Sequence, residues 1–578
     1  MKKKRNIKSR LIVQLILLIL IISSVSYISS IIFTRFDLTS EKRYTLSDET
    51  LDIIKNLDDI VYFKVYLEGD FPAGFKRLRR ETKEILDEFR AYNKNIQYEF
   101  INPSAETDLQ ERNNTYRLLV QHGLNPTNLQ VKTNSGMDQQ VIFPGCIISY
   151  RDKELPVELL DAQLNTPPEA VLNNSIQSLE FKFANAIHKL SRKKKPTIAF
   201  IEGHGEFDEK DVYDVTQAFK QDFAVDRFRI DGQINALVKR RLVDTAKQDY
   251  RIEAKYAAII IAGPDSAFSA KDRFIIDQYI MYGGKVLWLI DPMFASMDSI
   301  QNSEMTVAVE KPLDIQSQLF TYGAKLNNDL VTDIVSASIP LRTGQVGNKP
   351  RIDFFQWYYF PLVTPTSSHP IVRNLNAIKT QFVSSIDTTI GGVKKTVLLQ
   401  TSPYSRTLKS PAVINLGILR QEPDERLYSG PRKNIAVLLE GNFLSDFRNR
   451  MPPEIAGNKE IGFKEVSKET EMIIVSDADI IRNQFHIPEG YPLPLGYDQY
   501  TRQTYGNKEF ILNAMSYLVD GKGLIASRAK ETRLRLLDKT KINNNKLLWQ
   551  TINIVVPLLL IFILATLMIW SRKRKYSR

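Results

Sequence analysis

Five consecutive residues, Glu202-Gly203-His204-Gly205-Glu206, set an imidazole between two carboxylates with a glycine on either side. Asp291 ends a later apolar run as Glu202 ends an earlier one. Carboxylates and an imidazole at neighbouring strand ends can hold a metal ion or a small polar ligand, which makes Glu202, His204, Glu206 and Asp291 ligand-binding candidates. The same residues also suit a glycine-permitted turn whose charged side chains face water. The Gly-His-Gly spacing is specific to no metal class, and the other histidines, His122, His188, His369 and His486, are scattered. No metal ligand set, cofactor or catalytic residue is therefore assigned. A second run, Phe354-Phe355-Gln356-Trp357-Tyr358-Tyr359-Phe360-Pro361, packs aromatics densely enough to offer Phe355, Trp357 and Tyr359 as an exposed platform for a glycan or partner protein. The competing expectation is burial between domains, because a large exposed apolar patch is rare.

Catalytic signatures are missing from the rest of the chain. It has no Gly-x-x-x-x-Gly-Lys-Ser/Thr phosphate loop, no His-Glu-x-x-His, no Gly-x-Ser-x-Gly and no dinucleotide glycine fingerprint after an apolar strand. If the chain serves a motor or pump, another subunit hydrolyses the ATP. The one cysteine, Cys146, excludes an intramolecular disulfide, and without Cys-x-x-Cys there is no thioredoxin-type redox chemistry.

The elements that must position these residues are legible from periodicity. Thr45 and Asp48 have the spacing of a capping box ahead of a helix with Leu51, Ile54 and Leu57 on one face. A strand at 60–67 follows, then a helix carrying Phe75, Leu78, Thr82, Ile85, Phe89 and Tyr92, then a strand at 96–101. That order predicts a βαβ unit with parallel strands, compatible with a thioredoxin-like sheet. Ile176, Leu179, Phe183, Ile187 and Leu190 recur at helical spacing up to the basic run before Pro196, which marks a domain boundary. Beyond it, β-branched runs at 197–201, 257–262 and 285–290 alternate with helical segments, one capped by Ser269 and Asp272, and predict a parallel, doubly wound sheet. Strands at 435–439 and 472–475 are expected to complete it, after a long and mostly β insertion.

Both ends of the chain carry an uncharged apolar span with a basic cluster on its terminal side. Residues 11–33 follow six Lys and Arg, and residues 547–570, with Trp549 and Trp570 near the span ends, precede five more. Each is long enough for a hydrocarbon core about 30 Å thick. The basic flanks place both tails in the cytoplasm and the bulk of the chain on the other side of the membrane, as one extracytoplasmic region. A cleaved signal peptide is the alternative for the first span, but 23 apolar residues exceed a signal core and no Ala-x-Ala follows. The net charge of +12 does not point to nucleic acid: the tails hold 11 of the 78 basic residues and none of the 66 acidic ones, so the region between them is nearly neutral.

The expected organisation is thus a basic tail (1–10), a transmembrane helix (11–33), a first extracytoplasmic α/β domain (34–191) and a second (196–526) with an insertion at about 305–430. A charged stalk (527–546), a second transmembrane helix (547–570) and a basic tail (571–578) complete it. The fold class is an α/β ectodomain, βαβ then doubly wound with a mixed β insertion, between two transmembrane helices.

Three strings carry a resemblance: 37–39 through Lys42-Arg43-Tyr44-Thr45-Leu46-Ser47, Ile198 to Glu206, and Ile276 to Ile280 leading into Gly283 to Asp291. In these strings, and in their order along nearly the whole chain, the sequence resembles the gliding-motility-associated GldG family. The resemblance implies a non-ATPase subunit of an ABC-type transporter, working with a separate ATPase subunit and a multispanning permease subunit. It also implies a second domain similar to class I glutamine-amidotransferase-like domains and to a domain of ciliary intraflagellar-transport proteins. Amidotransfer needs a cysteine nucleophile that this domain lacks, so no catalytic residue is carried over. An anchored solute-binding receptor and an unrecognised envelope enzyme remain as alternatives.

Overall fold

The structure is a computed structural model that describes residues 7–31, 45–106, 108–133, 136–161, 167–192, 194–244, 249–301, 303–347, 349–420, 422–520 and 545–576. Most of the stalk expected at 527–546 and most of the basic N-terminal tail lie outside the described residues, and Lys546 already belongs to the C-terminal helix. The chain forms two units, one holding the terminal helices and the other running from Tyr44 to Lys530.

Helix α1 spans Ile7–Ile31. Helix α2, Asp48–Lys55, begins where Ser47, extended in backbone, accepts a hydrogen bond from Thr50 N on its hydroxyl at 3.3 Å. The cap is therefore Ser47, one residue before the helix, and the expected Thr45–Asp48 box is corrected: Asp48 is already helical. Strand β1 (Val61–Val65), helix α3 (Ala73–Tyr92) and strand β2 (Ile96–Phe100) form the anticipated βαβ unit, with β1 and β2 parallel. Strand β3 (Gly145–Tyr150) then pairs antiparallel with β1, and β4 (Lys153–Glu158) antiparallel with β3, giving the order β2-β1-β3-β4. Helix α4, Pro168–Ser191, lays Ile176, Leu179, Phe183, Ile187 and Leu190 on this sheet, all buried at the spacing read from sequence. Phe183 meets Phe63 and Phe89 edge-on at 5.4 and 6.4 Å. Cys146 sits in the same core, its thiol pushed well up by burial.

The second sheet starts with β5 (Thr197–Glu202), followed by α5 (Tyr213–Asp222), β6 (Ala224–Arg229), β7 (Ala258–Ala262), α6 (Ala270–Met281) and β8 (Val286–Leu289). Strand β9 (Asn434–Gly441), β10 (Thr470–Val475) and helix α7 (Asn507–Asp520) return after the insertion. Strands β6-β5-β7-β8-β10 lie side by side and parallel, the chain order second, first, third, fourth, fifth. In such a sheet the connections leave in opposite directions from the first and third strands, and a crevice opens between them at their carboxyl ends. Side-chain alternation divides the strands between two cores. Ile198, Phe200, Ile260 and Leu287 pack with α5 and α7, whereas Ala199, Ile201, Ile259 and Trp288 pack with α6.

One expectation about this sheet is corrected. β9 pairs with β10 antiparallel, and three short strands continue antiparallel beyond it, so the sheet is mixed. The insertion contains a long antiparallel hairpin, Ser336–Val346 with Lys349–Val363, and has its own core. At the C-terminus α8, Lys546–Tyr576, is apolar across Lys546–Arg574 and is the one described helix long and apolar enough to cross a membrane. The apolar stretch of α1 within the described residues, Ile12–Ser24, is shorter.

Replacing Phe183 with Ala removes a ring from the centre of the first core. It is expected to cost about 3–5 kcal/mol, read as a lower denaturant midpoint of the full chain, while an unchanged midpoint would contradict this account of the core.

Candidate functional site

Gly203 and Gly205 have φ values of +129° and +77°, so the chain reverses tightly after β5. A Cβ on Gly205 would fall 1.7 Å from Asp265 Oδ1, which leaves glycine as the residue that fits. This turn drives His204 inward. Its side chain is 5% exposed and that of Glu206 only 2%. The imidazole stacks on Phe268 with ring centroids 3.8 Å apart, its Nδ1 lies 3.1 Å from Glu206 Oε1, and its Nε2 lies 3.3 Å from Asp272 Oδ2. Glu206 Oε2 also accepts from His204 N at 2.7 Å, and the His204 carbonyl accepts from Asp265 N and Ser266 N at 3.0 Å. The histidine thus ties the loop after β5 to the loop after β7, across the crevice between them. Burial lowers its pKa, but the carboxylates of Glu206 and Asp272 outweigh burial and raise it above the usual 6.5.

The four ligand-binding candidates do not converge. Glu202 turns toward Arg227, whose Nε donates to Glu202 Oε1 at 2.5 Å. Asp291, at the end of β8, accepts from Ala478 N at 2.7 Å and lies 3.7 Å from Lys311 Nζ. Only His204 and Glu206 touch, and the residues that complete their cluster, Phe268 and Asp272, come from the next crossover. Neither sequence expectation describes this arrangement: His204 and Glu206 are buried rather than facing water, and their polar atoms are taken up by each other and by Asp272. The chemistry is that of a charged clamp. Ser269 Oγ donates to Asp272 Oδ2 at 2.7 Å rather than to the imidazole. Among the described residues no group of three or more His, Cys, Asp and Glu is arranged to hold a metal ion.

Sequence reading missed the acidic group beside Asp291. Asp477 and Asp479 follow β10 directly; burial pushes Asp477 well up and Asp479 up to about 7, with Lys311 and Arg482 as the nearby cations. The signal was the Asp-x-Asp pair at the end of the β-branched run 472–475. The aromatic platform is also corrected. Trp357 and Tyr359 are 0% and 2% exposed inside the core of the insertion, while Phe355 is half-buried and Phe354 is exposed. Both strands of the hairpin contribute to that core, and it covers the rings that were expected at the surface or between domains.

The site is thus a charged clamp at the switch point of a mixed, doubly wound α/β sheet. Residues 195–514 match the family described as an ABC-type uncharacterized transport system, over half of the chain, and the protein belongs to that family of ABC transporter auxiliary proteins. Residues 40–149 match a domain of unknown function. No curated protein matches. Among solved structures the chain is similar to the mmIFT52 N-terminal domain, with 13% identity, a TM-score of 0.31, and coverage of 56% of this chain and 98% of that one.

The raised pKa of His204 fixes the sign of a pH effect. A group whose folded pKa exceeds its unfolded value contributes fully below the unfolded value and loses that contribution as pH rises through the folded one. His204→Gln is expected to cost about 1–3 kcal/mol below pH 6.5, with the gap in thermal midpoint narrowing at higher pH. A gap independent of pH would rule out the charged clamp.

Proposed function

We propose that this chain is a non-ATPase accessory subunit of an ABC-type transporter in the cytoplasmic membrane of a gliding bacterium. In this reading both apolar spans anchor it, both tails lie in the cytoplasm, and the α/β region projects into the periplasm. It works with a separate ATPase subunit and a multispanning permease subunit, without nucleic acid. The observation that carries the reading is the match to the transporter auxiliary family over residues 195–514. Three further features agree with it: the absence of a phosphate loop in the sequence, the use of the strand-end histidine as a clamp, and the apolar helix Lys546–Arg574. Pro557 inside that helix leaves backbone carbonyls without their usual donor, which suits a helix packed against other membrane helices.

A second reading, an anchored solute-binding receptor, has one observation on its side: a cleft of about 680 Å³ within Tyr44–Lys530, lined by polar, charged and apolar side chains.

Purification of the tagged full-length chain from membranes in mild detergent tests the first reading. Stoichiometric recovery of an ATPase and a multispanning permease is the expected outcome. Recovery of the chain alone, under conditions that keep known membrane complexes intact, would overturn it.

A further inference from the structure

The cleft lies between the first sheet and the doubly wound sheet, and its volume of about 680 Å³ is within the range of small-ligand sites, which concentrate between lobes of a chain. One wall comes from the end of β4 and the segment after it, with Glu158 and Asp161; the other comes from the segment 374–376, the segment 502–505 and Glu509 of α7. Both walls are braced. Asn125 N donates to Glu158 Oε1 at 2.6 Å, and Lys182 Nζ donates to the Glu158 carbonyl at 2.8 Å. Opposite, Asn376 Nδ2 donates to the Thr504 carbonyl at 2.8 Å, and Gly506 N donates to the Ala377 carbonyl at 2.9 Å. The site is therefore braced on each side.

Its charges are unevenly distributed. Asp161 is answered by Lys182 at 2.7 Å. Glu158 is half-buried on one wall, Glu509 stands on the other, and Arg502 presents an exposed guanidinium at the edge, on a backbone held at φ +55°. Burial raises the pKa of Glu158 against the opposing pull of Asn125 and Lys182, so its carboxylate has lost part of its hydration and gains from a cation delivered by a ligand. Glu158 on one wall and Arg502 at the edge offer opposite charges to a molecule that carries both an ammonium and a carboxylate.

We propose that this cleft binds a small zwitterion, an amino acid or short peptide, with its ammonium on the Glu158 side and its carboxylate on Arg502. The inference goes beyond the accessory-subunit reading and stands whether or not a transporter is recovered with the chain.

The test is calorimetric titration of the full-length protein in lipid nanodiscs with trialanine, N-acetyl-trialanine and trialanine amide. Saturable binding of trialanine is expected, weakened at least about tenfold by capping either end, by Glu158→Gln or by Arg502→Gln, each change removing one charge-assisted contact. Arg502 is exposed, so its variant keeps the fold and reports on the site alone. Absence of saturable binding by trialanine, L-alanine and L-lysine would overturn the proposal, as would binding that both variants leave unchanged. Partner recovery from the same membranes is scored separately, so failure here leaves the accessory reading intact.

Discussion

A strand buried on both faces must be covered by helices on both sides, and the second half of this protein follows from that constraint. Residues 198–201, 258–261, 286–289 and 472–475 are buried throughout, so neither face of the sheet can be left to solvent. Parallel crossovers supply the cover: α6 lies on one face, α5 and α7 on the other. Because every crossover leaves from a carboxyl end, the polar residues that terminate the strands gather there. They meet a nearly dry boundary, and each finds a partner of opposite charge or a backbone donor. His204 takes two carboxylates, and Asp291 takes an amide and an ammonium. The polar layer at the strand ends is thus a consequence of the apolar sheet below it.

Elements governed by a local period were legible in the sequence. Helix α4 could be read residue by residue because five apolar positions keep one face, and β1-α3-β2 because alternation in 96–100 contrasts with the helical stripe before it. Direction and pairing were not legible where a strand is uniformly apolar. Residues 435–439 carry no mark of running antiparallel, since a two-faced strand looks the same either way. The cap at Ser47 was displaced from Thr45 because several hydroxyl and acidic residues crowd this start, and only backbone geometry selects among them.

The site was half legible. Gly203 and Gly205 announced a sharp turn, and Ser269 with Asp272 announced a helix start, yet nothing in the sequence joined the two. His204 and Asp272 are 68 positions apart, and their contact exists because β5 and β7 are neighbours. Likewise the run around Trp357 reads as a surface or a core according to what covers it, and the covering residues belong to distant parts of the insertion. The clamp occupies the crevice side of the switch point with side chains that already hold one another.

Arg192, directly after α4, pairs with Asp520 at the end of α7, although 328 positions separate them, and it also touches His188. The chain therefore enters and leaves the doubly wound body at one spot, as a handle does on a cup. The first and last elements of this body are therefore tied to each other directly, so the ends that bound it are held together without passing through the sheet between them.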